Sequence, residues 1–271
     1  MKIFKNKYKL KKEILNIKNI SFVPTMGGLH KGHISLINRS KKFNGKTLVS
    51  IYINPKQFGD KKDFLNYPKN LKKDILILKK LKVNFVYIPN FKDIYSLKTK
   101  NKIFLHNLSK KLCGKTRKKH FEGVVNIVNR FLEIIKPKLI FLGSKDLQQI
   151  HIIKAHIDKR KINTKVIACK IIRENNGVVY STRNKRLSKR QFKIASRIYK
   201  YLSKQKKFIM KNLSNFEYSK IKKHLINLGS TKIDYIEILN SDTLKKVKDR
   251  KENFRLFIAY YLGNIRLIDN I

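Results

Sequence analysis

Acidic residues are scarce in this chain. Only 17 Asp and Glu stand against 65 Lys and Arg in 271 residues, a formal charge of +48. Such a field attracts phosphate backbones in a salt-dependent way, yet the lysines run through the whole chain and are not gathered in one tail or helix. Tryptophan is absent, glycine and alanine are sparse, and lysine, asparagine and isoleucine abound. Those three residue types share A/T-rich codons, so a drifted base composition accounts for the biases together and places most of the charge on solvated faces. Non-specific polyanion binding follows as a side effect, and no specific nucleic-acid partner is expected.

Cysteines and long apolar runs are few as well. Cys113 and Cys169 make no disulfide framework and lack CxxC spacing, which fits a reducing compartment. No stretch approaches the ~20 apolar residues that a membrane helix needs. The basic segment 1–12 lacks the apolar core of a signal peptide. A cytoplasmic protein without a membrane partner is therefore expected. Neither a metal site nor a catalytic triad is expected, because His106, His151, His156 and His224 form no ligand pattern. A Walker lysine loop and a GxGxxG turn are also missing.

What the chain does have is alternation. Residues 20–23, 47–53, 83–88, 139–142 and 165–172 read as strands. Residues 71–81, 124–135 and 148–157, with a segment opening at Ile34, carry helical spacing. This predicts an α/β fold, a Rossmann-like parallel sheet with helices on both faces. After Glu174 the texture changes. Asn175-Asn176-Gly177 is a turn signal, Ser188 reads as a helix N-cap, and residues 233–239 and 255–262 read as strands. The expected division is a domain over 1–173 and a smaller C-terminal α+β domain over 174–271.

Between the first strand and its helix lies Pro24-Thr25-Met26-Gly27-Gly28-Leu29-His30-Lys31-Gly32-His33-Ile34. Glycines let the backbone approach a ligand closely. The helix start offers N–H groups and a positive dipole end to an anion. Imidazoles at i and i+3 share a face and can donate to phosphate oxygens as charge develops on them. Two other clusters also follow strands: Asn54-Pro55-Lys56-Gln57-Phe58, and Gly143-Ser144-Lys145-Asp146. In open α/β sheets that edge binds ligands, so the three clusters are expected to form one site.

Within them, the amides of Asn54 and Gln57 suit a hydroxy-acid substrate. Lys145 and Asp146 could be a phosphate clamp and its orienter, or an exposed ion pair worth about 0–1 kcal/mol. Gln148 and Gln149 are adjacent on a helix, so at most one faces a ligand. Arg117 and His120 lie either in a solvated basic loop or near the site. Ser181-Thr182-Arg183 offers two hydroxyls and a guanidinium to phosphate oxygens, or is an ordinary hairpin edge.

His30-Lys31-Gly32-His33 resembles the HxGH signature of nucleotidyl-transferring α/β enzymes. The longer string is similar to that of the pantoate–β-alanine ligase family. Asn54-Pro55-Lys56-Gln57-Phe58-Gly59 resembles its NPxQFG loop, and Asp63 through Asp74, with Tyr67-Pro68, its D-x-x-x-YP segment. Gly143-Ser144-Lys145-Asp146-Leu147-Gln148-Gln149 resembles GxKDxQQ. Arg173-Glu174 precedes an SSRN-like segment, and the chain closes on Arg266-Leu267-Ile268-Asp269-Asn270. The family carries Arg-Pro-Gly-His-Phe where this chain has Arg117-Lys118-Lys119-His120-Phe121, and Tyr180 stands where methionine is common.

The resemblance implies ATP-dependent condensation of (R)-pantoate with β-alanine through a pantoyl-adenylate. It implies His30 and His33 as the catalytic pair, with His33 the proton donor. Met26, Gly27, Gly28, Leu29, Lys31, Gly32, Gly143, Ser144, Lys145, Asp146, Ile172, Tyr180, Ser181, Thr182 and Arg183 would complete the ATP site, with Mg²⁺ carried by the phosphates. Gln57 and Gln149 would hold pantoate, with Asn54 beside them and Gln57 near β-alanine. A homodimer, with the second domain as a lid, is also implied.

Overall fold

The computed structural model describes residues 1–211, 213, 216–249 and 251–271. The chain divides into two compact units, Met1–Ile171 and Ile172–Ile271.

Unit one carries a six-stranded sheet: β1 (Lys2–Phe4), β2 (Ile20–Thr25), β3 (Lys46–Ile51), β4 (Phe85–Tyr87), β5 (Leu139–Gly143) and β6 (Lys165–Cys169). Their order is β1-β4-β3-β2-β5-β6, and every pairing is parallel. Eight α-helices accompany them among the described residues: α1 (Lys7–Ile14), α2 (Lys31–Ser40), α3 (Lys61–Leu65), α4 (Leu71–Lys80), α5 (Phe91–Tyr95), α6 (Cys113–Thr116), α7 (His120–Ile135) and α8 (Leu147–Lys159).

Alternation along the strands sends side chains to opposite faces. Val23, Val49, Val86 and Phe141 pack with Leu36 and Ile37 of α2 and Leu78 of α4. On the other face Phe22 and Tyr87 meet Phe131 of α7, with ring centroids 5.4 and 6.1 Å apart. The expected layering, helices on both faces of a parallel sheet, is the one observed.

The short helices α3, α5 and α6 escape the sequence pattern, and so do two elements at the start of the chain. The first, α1, is so rich in lysine that only Leu10 and Ile14 mark its apolar face, and Asn6 caps it by accepting from the N–H of Tyr8 and Lys9. The second, β1, has three residues and lies at the sheet edge. The strand expected over 165–172 ends earlier, at Cys169. Cys169 pairs with Gly143, after which β5 gives way to a 3₁₀ turn at Ser144, so Lys170 onward has no neighbouring ladder.

Unit two holds α9 (Lys189–Lys211), α10 (Tyr218–Asn227) and an antiparallel sheet of β7 (Lys232–Asn240), β8 (Phe254–Leu262) and β9 (Ile265–Asn270). Its core joins Ile198 and Leu202 of α9 and Leu225 of α10 to Leu256 and Ile258 of β8. Ser188 caps α9 as expected. Its hydroxyl accepts from Gln191 N at 3.2 Å while Gln191 Oε1 accepts from Ser188 N at 2.9 Å, a reciprocal capping box. The expected turn forms over 174–178, with Gly177 at φ +89°, where any Cβ would overlap the Tyr199 ring. No helix among the described residues is long and apolar enough to cross a membrane.

Candidate active site

From β2 the chain winds through α2 to β3 on one side, whereas β5 and β6 lie on the other side of β2. Strands β2 and β5 are thus neighbours whose connections diverge, and the crevice beyond their carboxyl ends is where such sheets bind ligands. Ser21 and Phe22 pair with Leu139 and Ile140, so the last residues of the two strands, Thr25 and Gly143, end at the same level. The H-x-G-H turn and the Gly143–Asp146 cluster flank this point.

The turn is held from beneath. Gly27 and Gly28 adopt φ of +75° and +63°, a left-handed pair that favours glycine. Thr25 Oγ1 accepts from Gly27 N at 3.2 Å and donates to Ser50 O at 2.7 Å. His30 is then the N-cap of α2, with Nδ1 accepting from Gly32 N at 3.2 Å. Neutral His30 therefore carries its proton on Nε2 and can donate from that nitrogen. The rings of His30 and His33 lie 4.0 Å apart at 32°. The i, i+3 spacing thus places both imidazoles together on the first turn of a helix, where N–H groups and the dipole favour anions.

The second cluster adjoins the first. Gln57 Nε2 reaches Met26 Sδ at 2.7 Å, so the Gln57 side chain sits beside the opening turn. Its backbone is fixed from α7 and the loop before it. His120 Nδ1 lies 2.7 Å from Gln57 O, and Arg117 reaches His120 Nε2 at 3.0 Å and Gln57 O at 3.4 Å. A guanidinium only donates, so Nε2 accepts and Nδ1–H is the donor to Gln57. His120 is buried at the first residue of α7 and does not lie in a solvated basic loop.

Asn54 is 1 % exposed and committed to the loop. Its Oδ1 accepts from Lys56 N at 3.3 Å and from Tyr95 OH at 2.8 Å, and Nδ2 donates to Gly123 O at 3.1 Å. Burial pushes the Tyr95 phenol up, which keeps it the neutral donor of that pair. Gly123 has no room for a side chain: a Cβ there would overlap the Lys56 carbonyl.

The third cluster separates two adjacent glutamines. Gln148 is buried, with Oε1 accepting from Cys113 N at 3.2 Å and Nε2 donating to Leu108 O and Lys111 O at 2.8 and 2.7 Å. Gln149 points away from that network and is half-exposed. Lys145 Nζ lies 3.4 Å from Asp146 Oδ1, a partly exposed pair. Among the described residues, no group of three or more His, Cys, Asp or Glu could hold a metal ion.

In unit two, Tyr180 N donates to Ile172 O at 3.1 Å, closing the hairpin that precedes the Ser181-Thr182-Arg183 turn. Ser181 caps that turn by accepting from Arg183 N at 3.3 Å, and Thr182 is buried. Arg173 grips Asp269 with two contacts, at 2.6 and 2.9 Å, and donates to Gly177 O at 3.1 Å. The chain's closing motif therefore anchors this hairpin to β9.

Sequence reasoning missed Tyr95 and Gly123, and reached Asp74 only as the end of the Asp63–Asp74 segment, with no role attached. Only Gly123 carried a local hint, a glycine early in a helical pattern.

A doubly wound parallel sheet with an H-x-G-H turn at its switch point defines an α/β enzyme of nucleotide chemistry. The family model described as pantoate-beta-alanine ligase matches residues 2–271. The chain belongs to that family. It is 40% identical to the pantothenate synthetase of Flavobacterium psychrophilum, over 97% of this chain and 94% of that protein. It is 38% identical to that of Pseudothermotoga lettingae, over 100% and 98%. Among solved structures, the Francisella tularensis pantoate-beta-alanine ligase, complexed with beta-gamma ATP and beta-alanine, has a TM-score of 0.83 at 35% identity. That match covers 100% of this chain and 97% of that one. The pantothenate synthetase of Thermus thermophilus has a TM-score of 0.87 at 26% identity, covering 100% and 99%.

Proposed function

We infer that this chain joins (R)-pantoate to β-alanine at the expense of ATP, the reaction by which its relatives are named. The observation that carries the reading is the close, tilted pair His30 and His33 at the start of α2, on the turn that Gln57 reaches at Met26. In the first step a pantoate carboxylate oxygen attacks the α-phosphorus. The bond from that phosphorus to its bridging oxygen breaks, and pyrophosphate leaves. In the second, the β-alanine amine attacks the acyl carbon, loses a proton, and AMP departs with the former carboxylate oxygen. Neither step needs a protein nucleophile. Both need orientation and stabilisation of phosphate charge.

The imidazole donors of His30 and His33, the latter as proton donor, meet the charge on the phosphates. Gly143, Ser144, Lys145 and Asp146 line the nucleotide side with Met26 through Gly32. Gln57 and Gln149 hold pantoate, and Asn54 acts on it through the loop it braces. Ile172, Tyr180, Ser181, Thr182 and Arg183 are assigned to ATP on the family resemblance. Mg²⁺ accompanies the ATP phosphates, whose oxygens are the hard ligands it prefers. A homodimer is the expected assembly, and sedimentation velocity tests it.

The test is AMP release from ATP, Mg²⁺, (R)-pantoate and β-alanine, with each omitted in turn, alongside His33→Ala. Release that requires both organic substrates and falls at least about 100-fold in the variant supports the reading. Folded protein that supports neither AMP release nor pantoate-dependent ATP–pyrophosphate exchange overturns it.

A further inference from the structure

The geometry points to Asp74 as the positioning residue of the adenylation turn, acting on the reaction through the backbone that carries His30 and His33. Asp74 lies in α4 and is 2 % exposed. Its two carboxylate oxygens are spent on two consecutive amides: Oδ2 accepts from Gly28 N and Oδ1 from Leu29 N, each at 2.8 Å. Both bonds are charge-assisted and lie in a buried setting, where such bonds are strong. A Cβ on Gly27 would lie 3.0 Å from Asp74 Oδ2, so the left-handed glycines let the turn wrap the carboxylate.

Consecutive amides beside a left-handed backbone make a concavity that binds anions. Here the protein supplies its own anion. Asp74 occupies the Gly28–Leu29 concavity from below and leaves the N-terminal turn of α2 as the part of the loop that faces a phosphate. Two residues past Gly28, His30 caps α2 and sets the height and orientation of the paired imidazoles. A donor displaced by about 1 Å can cost about 100-fold in rate, so an anchor of this kind bears on the charge-stabilising step while contacting no substrate.

The inference rests on the ligase reading above and predicts an asymmetry between the two half-reactions. Adenylation builds charge on the phosphates against the turn, whereas amide formation starts from an adenylate already made. Asp74→Asn puts an NH₂ group where one backbone amide needs an acceptor and removes the charge. In the full chain it is expected to lower pantoate-dependent ATP–pyrophosphate exchange at least about tenfold. AMP release from supplied pantoyl-adenylate and β-alanine stays within about twofold of wild type. Hydrogen exchange of the Gly28 and Leu29 amides rises about tenfold or more. If Asp74→Asn does not fold, Asp74→Glu, which keeps both acceptors but shifts them by one methylene, is read the same way. Exchange should then fall more than the second half-reaction. Equal losses in both half-reactions, or unchanged protection of Gly28 and Leu29, overturn the role. Should wild type run neither half-reaction, the ligase reading fails, and the amide-exchange comparison still decides whether Asp74 holds the turn.

Discussion

His120 Nδ1 lies 2.7 Å from the carbonyl oxygen of Gln57, and Arg117 lies against both residues. The imidazole is therefore a neutral donor whose tautomer is set by its neighbour, and it holds backbone. His120→Ala should leave the protein folded and lower kcat/KM about 10- to 100-fold, mostly through KM for pantoate. Asparagine places an N–H close to that of Nδ1, so His120→Asn should recover most of the loss. Steady-state kinetics with pantoate varied decides this, and equal activity of the two variants would exclude the role.

Gly123 reverses the usual expectation for a helix glycine. On an exposed helix face alanine would be favoured by about 1 kcal/mol. Here its Cβ would overlap Lys56 O and lie 2.7 Å from Gln57 Cα, both backbone atoms of the Asn54–Phe58 loop. Gly123→Ala should destabilise by about 1–3 kcal/mol and weaken pantoate binding. Denaturant melts and pantoate titration give the two readings.

His156 carries a pH dependence. It is fully buried, with Nδ1 accepting from Phe104 N at 3.1 Å and Nε2 lying 3.1 Å from Asn129 Oδ1. Burial, aided by the Arg160 charge, lowers its pKa to about 4, from 6.5 when unfolded. Between those values the unfolded chain binds the extra proton, so stability rises with pH there. The contribution is full above pH 6.5 and is lost as pH falls toward 4, on the order of 3 kcal/mol. Wild type should therefore lose more stability than His156→Gln between about pH 7 and 4.5 in urea melts. Parallel losses would show that His156 already titrates normally in the fold.

The Arg173–Asp269 pair anchors the hairpin before Ser181-Thr182-Arg183. Asp269→Asn leaves a half-buried guanidinium short of its carboxylate and should cost about 2–4 kcal/mol. A fall in melting temperature with little change in the kcat of the protein that remains folded is the expected outcome. A large kcat loss at full folding would assign the pair a more direct role.

Much of this protein was determined locally by its sequence. Strand and helix periods place β2 to β6, the glycines of the H-x-G-H turn mark where the backbone must go left-handed, and Ser188 with Gln191 makes a capping box, because each depends on residues within a turn or two of one another. That the three clusters lie along one edge of the sheet also follows from their places just past the carboxyl ends of parallel strands.

Tertiary structure decided which polar residues are spent on the protein's own backbone and which stay at the candidate site. Asp74 meets Gly28 from 46 positions away and His120 meets Gln57 from 63, distances over which no sequence period operates. Asn54 and Gln57 are alike in the sequence as loop amides. Burial against Gly123 and Tyr95 spends the first on the loop itself, while Gln57 reaches the opening turn at Met26. Gln148 and Gln149 part in the same way, since neighbours on a helix point about 100° apart and only one of them can meet the loop beneath.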